Sequence, residues 1–229
     1  MSIMFPNGYK CVVCGDEISV DRNGFCDKCI DVLPKIVGKV CNKCGLPLYS
    51  DADYCMACKT QLPSFTKAFA PYRYEGVVKN LIHKFKYDGA EYLGDCLGKL
   101  LYDYFVKLDL SVDVIIPVPL YLHREFERGF NQASTLCGWF AKNGFDVDNY
   151  MVVKTKNSKM QASLSLAERK ENISGAFRVL TKNKLKNKVV LLVDDVYTSG
   201  STFGELADVV LKAGASKVYC LSLARTCFD

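Results

Sequence analysis

The chain has 229 residues, 49% hydrophobic and 24% charged, with a formal net charge of +5. That suffices for one sizeable core plus a small appendage, and the mild basicity suits an anionic partner without identifying one. No apolar run reaches the roughly 18 residues of a membrane helix, and MSIMFPNGYK lacks a signal peptide's basic-then-apolar layout, so the expected compartment is the cytoplasm.

A reducing cytoplasm argues against a disulfide framework, so twelve cysteines need another explanation. Eight form Cys-x-x-Cys pairs: Cys11/Cys14, Cys26/Cys29, Cys41/Cys44 and Cys55/Cys58. Two thiolates three positions apart can reach one metal from a tight knuckle, and two knuckles complete the four-sulfur tetrahedron that zinc prefers. Gly15 and Gly45 follow the second cysteine of their pairs, where such a knuckle turns. Sequential grouping gives one site from Cys11, Cys14, Cys26 and Cys29 and another from Cys41, Cys44, Cys55 and Cys58; an interleaved grouping stays open. Redox pairs would each need a thioredoxin-like unit, for which 48 residues leave no room. Two structural zinc ions are therefore expected in a head over residues 1–62. The head is too short for its own core and draws folding energy from metal. Cys96, Cys137, Cys220 and Cys227 read as buried small hydrophobes.

Residues 60–72, with two prolines, read as a link into a main domain over 63–229. A helix is expected from Glu75, with Val77, Val78, Leu81, Ile82 and Phe85 on one face and a break at Gly89. A second carries Leu93, Leu97, Leu100, Leu101, Tyr104 and Phe105. Val112–Val118 reads as a buried strand, 132–142 as a helix, and Met151–Val153 as the start of a strand. The polar stretch 155–172 reads as a long loop, of a length that is usually functional or disordered. The basic run 181–188 reads as a solvated turn, Val189–Val193 as the most apolar strand, Phe203–Ala213 as a helix stopped by Gly214, and Val218–Leu223 as the last strand. Strands alternating with helices imply an α/β fold with a parallel sheet covered on both faces.

In such sheets ligands bind beyond the C-terminal strand ends. There the stretch VVLLVDDVYTSGST (189–202) sets Asp194 and Asp195 before the turn Thr198-Ser199-Gly200-Ser201-Thr202. Thr202 is placed to cap the next helix and Glu205 to complete a capping box. The turn's amides and the helix dipole then favour a phosphate, while the carboxylates accept hydrogen bonds from hydroxyls. A phosphorylated sugar presents that combination. A magnesium-holding Walker strand would need a phosphate loop, and Gly94-x-x-x-Gly98-Lys99-Leu100 has the wrong spacing and no hydroxyl.

The stretch resembles the phosphoribosyl-pyrophosphate motif of type I phosphoribosyltransferases, with Ser199 and Ser201 as mild departures. The resemblance implies that Asp194 and Asp195 bind the ribose hydroxyls, that Thr198 through Thr202 hold the 5′-phosphate, and that magnesium arrives with the pyrophosphate. Over nearly the whole chain the sequence resembles the ComF family, in which a paired-cysteine head precedes a phosphoribosyltransferase-like domain. HKFKYDGAEYLG (83–94), PVPLYLHREFERGFNQA (117–133) and QASLSLAERKENISGAF (161–177) carry that resemblance. It implies a role in DNA uptake during natural transformation, with single-stranded DNA, a DNA translocase and a membrane channel as expected partners. It places Arg124 and Arg128 at the pyrophosphate, and Lys156, Lys159, Gln161 and Arg169 on a flexible loop over the site. The alternative is an active phosphoribosyltransferase with an unidentified acceptor, unrelated to DNA. No catalytic base stands out.

Overall fold

A computed structural model of the chain describes residues 9–18, 23–156 and 175–227. In the head, β1 (Tyr9–Lys10) and β2 (Glu17–Ile18) pair antiparallel around the first knuckle, and α1 (Asp27–Asp31) and α2 (Met56–Thr60) follow Cys26 and Cys55. The two ribbons repeat one backbone solution. Gly15 N donates to Cys11 O and Gly45 N to Cys41 O, both at 2.9 Å. Both glycines have positive φ, which the tight turn requires.

The segment read as a link is part of the main sheet. It supplies β3 (Lys67–Phe69) and β4 (Tyr72–Arg73), both parallel to the last strand, β9 (Lys217–Arg225). Strands this short, flanked by prolines, leave no alternation to read. Next come α3 (Gly76–Tyr87), α4 (Leu93–Val106), β5 (Val114–Pro117) and α5 (Leu122–Arg128). The helix expected over 132–142 divides at Cys137 into α6 (Gln132–Leu136) and α7 (Gly138–Lys142), where Gly138 lowers helix propensity. A small antiparallel ribbon pairs β6 (Val152–Lys154) with β7 (Phe177–Val179); β7 was not expected. A single 3-10 turn at Lys182–Leu185 leads into β8 (Val189–Tyr197) and α8 (Ser201–Lys212).

The sheet order β3-β9-β8-β5 is wholly parallel, with β4 continuing beside β9. Alternation along β8 sorts the core onto two faces. Val190 and Leu192 pack with Phe203, Leu206, Ala207 and Val210 of α8. Leu191 and Val193 pack with the apolar stripes of α3 and α4. All four strand residues are fully buried, a contribution of about 1.5–3 kcal/mol each. The second ribbon belongs to the same core: Cys41, Cys44, Cys55 and Cys58 cluster with the α8 face. Phe25 and Leu33 attach the first ribbon to the opposite face. Among the described residues no helix is long and apolar enough to cross a membrane.

Candidate functional site

The eight paired cysteines gather as two groups, Cys11, Cys14, Cys26, Cys29 and Cys41, Cys44, Cys55, Cys58, each with sulfurs within 4.8 Å of one another. The sequential grouping therefore holds. Cys14 and Cys26 sulfurs lie 3.7 Å apart and those of Cys44 and Cys55 3.6 Å apart. A tetrahedron with zinc–sulfur bonds of 2.3 Å has edges of about 3.8 Å, so both groups fit zinc. Of the four remaining cysteines, Cys137 and Cys220 are buried, and burial pushes both thiols well above the usual range. Cys96 and Cys227 are only partly buried.

The second candidate site lies where β8 runs into α8. The ladder continues past the expected strand end, through Asp194 opposite Ser222 and on to Tyr197 opposite Arg225, because β9 is as long as β8. Asp195 is 6% exposed and Asp194 partly buried. Two adjacent acids in so little water need a counter-charge, and Lys86 supplies it, with Nζ 2.8 Å from Asp195 Oδ2. Burial would lower the Lys86 ammonium, but the Asp195 charge and hydrogen bond together with the Asp194 charge outweigh it and hold the ammonium above its usual range. Burial, and then the Asp195 charge, push Asp194 up to about 7.

The turn follows at once. Ser199 Oγ and Ser201 Oγ are 2.9 Å apart, and Thr226 Oγ1 donates to Thr198 O at 3.2 Å. The expected capping box does not form. Gly200 is the N-cap, at φ 81°, so Thr202 already lies within the helix. Glu205 instead accepts the Gly175 amide at 2.6 Å. A glycine cap offers no side chain to compete with an incoming anion at the positive end of the α8 dipole.

A cleft of about 370 Å³ opens beside the acids, lined by Lys86, Tyr87, Gly89, Arg124, Glu127 and Arg128. Arg124 and Arg128 share the cleft as their spacing on α5 requires. Arg128 is held by Gln132 Oε1 at 2.9 Å and stacks over the Tyr87 ring at 5.1 Å. Asn131 caps α6 by accepting from Ala133 N and donates to Val118 O. It braces the loop after β5. Lys154 links the two halves electrostatically: burial, and then the Arg124 charge, lower it to about 8, while Asp194 opposes. Lys156 is exposed near Gly175. Lys159, Gln161 and Arg169 lie outside the described residues.

Residues 1–59 match the family described as a double zinc ribbon domain. Competence protein F of Haemophilus influenzae is 31% identical over 95% of this chain and 97% of its own length. The chain belongs to the ComF family. Further similar proteins are DNA utilization protein YhgH of Escherichia coli K12, 28% identical over 94% of this chain and 96% of its own, and competence protein ComFC of Bacillus subtilis, 25% identical over 94% and 95%. Solved structures similar to this ComF chain include a purine phosphoribosyltransferase from Pyrococcus horikoshii. It is 18% identical, with a TM-score of 0.35, over 58% of this chain and 73% of that one. Glutamine phosphoribosylpyrophosphate amidotransferase from B. subtilis aligns at 21% identity and a TM-score of 0.37, over 54% of this chain and 24% of that one.

Reading the sequence singled out the acids, the turn and both arginines, but Lys86 only as part of the HKFKYDGAEYLG stretch. Its signal lies in the periodicity. Val78 and Ile82 form the buried stripe of α3 with Leu81 and Phe85, and 86 is the next position of that stripe. A lysine there must meet an acid or leave the core.

Proposed function

We propose that this ComF chain binds phosphoribosyl pyrophosphate with magnesium through the end of β8 and acts in DNA uptake for natural transformation. The observation that carries the binding reading is the junction at Lys86. One ammonium both neutralises Asp195 and lines the cleft that holds Arg124 and Arg128. In this reading Asp194 and Asp195 accept the ribose 2′ and 3′ hydroxyls. The Thr198–Thr202 turn receives the 5′-phosphate at the α8 N-terminus. Lys86, Arg124 and Arg128 face the magnesium-bound pyrophosphate, with Lys154 behind them. The DNA-uptake role follows from the names of the relatives, which are a competence protein and a DNA utilization protein. The head is then structural, and the chain works in the cytoplasm, where its thiolates stay reduced. Single-stranded DNA is the proposed macromolecular ligand, its phosphates competing for the same cations, with a DNA translocase and a channel as neighbours.

The cleft also favours a second reading, an active transferase. The bond from the anomeric carbon to pyrophosphate breaks, pyrophosphate leaves with the electron pair, and an acceptor nucleophile forms the new bond at that carbon. Positioning and cationic stabilisation of the leaving group are what this chain can supply.

Calorimetric titration of phosphoribosyl pyrophosphate with magnesium tests the proposal on wild type and on Asp194→Ala/Asp195→Ala. Binding by wild type that the double variant loses supports it. A folded, zinc-loaded wild type that binds nothing rejects it. Pyrophosphate release on screening acceptors would separate transfer from binding alone.

A further inference from the structure

Arg225 ends the last strand and is 4% exposed. Among the described residues no Asp or Glu pairs with it. A buried guanidinium without a counter-charge is costly, so its surroundings show what it serves. Its Nη1 donates to the carbonyl oxygen of Cys44, a ligand of the second zinc group. Two plus charges on zinc against four thiolates leave a four-cysteine centre with a net charge of about −2, which is the missing counter-charge.

The other face of the guanidinium lies over the Tyr197 ring, 4.6 Å from its centroid. Tyr197 is 6% exposed and packs on Phe203 of α8. Its hydroxyl presses on the turn: a Cβ added at Gly200 would lie 2.1 Å from that oxygen. The next residue continues the brace, since Thr226 N donates to Tyr197 O at 3.0 Å and Thr226 Oγ1 to Thr198 O. An unbroken path of contacts thus runs from Cys44 through Arg225 and Tyr197 to Gly200.

We propose that Arg225 is a positioning residue that couples metal at the Cys41, Cys44, Cys55, Cys58 centre to the geometry of the Thr198–Thr202 turn. The functional consequence rests on the phosphate-binding reading of the turn; the coupling itself does not. By linkage, whatever the metal does for the turn's affinity, the turn's ligand must do for the metal.

The experiment has a ligand-free arm and a ligand arm. In the first, zinc is replaced by the larger cadmium ion at both centres, and backbone amide spectra are recorded for wild type, Arg225→Met and Arg225→Lys. The Gly200 and Ser201 amides are expected to shift in wild type and to stay unmoved in Arg225→Met. The lysine variant, which keeps the charge but not the planar stack, covers the case in which methionine prevents folding and is expected to lose at least half of the response. Wild-type amides that ignore the exchange, or variants that respond as wild type does, would overturn the coupling. In the second arm, zinc release to a chelator is timed with and without magnesium phosphoribosyl pyrophosphate, with Cys14→Ser identifying the first-centre phase. The ligand is expected to slow only the second-centre phase, by about five-fold or more, and Tyr197→Phe to abolish that protection. Protection of both phases alike, or survival of the effect in Tyr197→Phe, would count against the path. If wild type binds no phosphoribosyl pyrophosphate while its amides still answer the metal exchange, the ligand reading fails and the coupling stands.

Discussion

At the scale of single residues, Asp194 and Lys86 tie the stability of the site to pH. Asp194 has its pKa raised, by burial first and by Asp195 second, to about 7. In the unfolded chain it is about 3.9. The folded state therefore holds this proton more tightly, and the stability it gains is full below about 4 and lost as pH rises through about 7. Asp194→Asn mimics the protonated acid. Its melting temperature should match wild type below about pH 4 and exceed it increasingly as pH rises to 8. A variant less stable than wild type across the range would contradict this. The ionised form is the better acceptor for ribose hydroxyls. Wild-type affinity for magnesium phosphoribosyl pyrophosphate should therefore rise between pH 6 and 8, and Asp194→Asn should be weak throughout. Lys86 is the counter-charge to the ionised acids. Removing it by Lys86→Met strands the 6%-exposed Asp195 carboxylate, at a cost of about 2–4 kcal/mol near neutrality. Denaturant titrations should show that loss shrinking at pH 5, where protonation relieves the acid pair; an equal loss at both pH values would mean that the lysine acts through packing alone.

At the scale of elements, the decisive object is the passage from β8 to α8. Gly200 has φ 81°, a region costly for other residues, and no room for a Cβ beneath the Tyr197 hydroxyl. Gly200→Ala should lower stability by about 1–3 kcal/mol. It should also weaken phosphate binding at least ten-fold, read by thermal melts and calorimetry on the same preparation. Unchanged affinity would remove the turn from the binding site. The strand, the acids and the turn were legible because each announces itself locally: an apolar run, two adjacent carboxylates, a cluster of small residues. The cap was misread because Thr202 and Glu205 fit a capping box in sequence, whereas the αL conformation of Gly200 starts the helix earlier. Strands β3, β4 and β7 escaped notice because two or three residues leave no alternation. Their pairing is set by β9 and β6, distant in sequence. Lys86 was legible only in hindsight, since a lysine on an apolar stripe says that a partner exists but not which acid it is.

At the scale of the molecule, the question is how far the metal head and the sheet are one folding unit. The cysteine spacing announced two centres, but their unequal attachment could not be read from it, because both ribbons carry the same spacing. The second centre sits in the core shared with β8, β9 and α8, and Cys58 is 5% exposed. The first is held at the opposite face through Phe25 and Leu33, and Cys14 is exposed. Metal binding is folding energy for whatever the ligands are packed into. Losing zinc from the second centre should therefore unfold the sheet as well, while losing it from the first should leave the sheet standing. Trp139 is the chain's one tryptophan and lies in α7, in neither ribbon. Its fluorescence reports the main domain alone. Cys58→Ser should lower the Trp139 melting temperature by about 10 °C or more, as loss of several kcal/mol implies for a chain of this size. Cys14→Ser should lower it by no more than a few degrees. Equal losses would mean that the two ribbons fold as one unit before either meets the sheet. In that event the stability supplied by both metals would pass through the head as a whole rather than through the shared core.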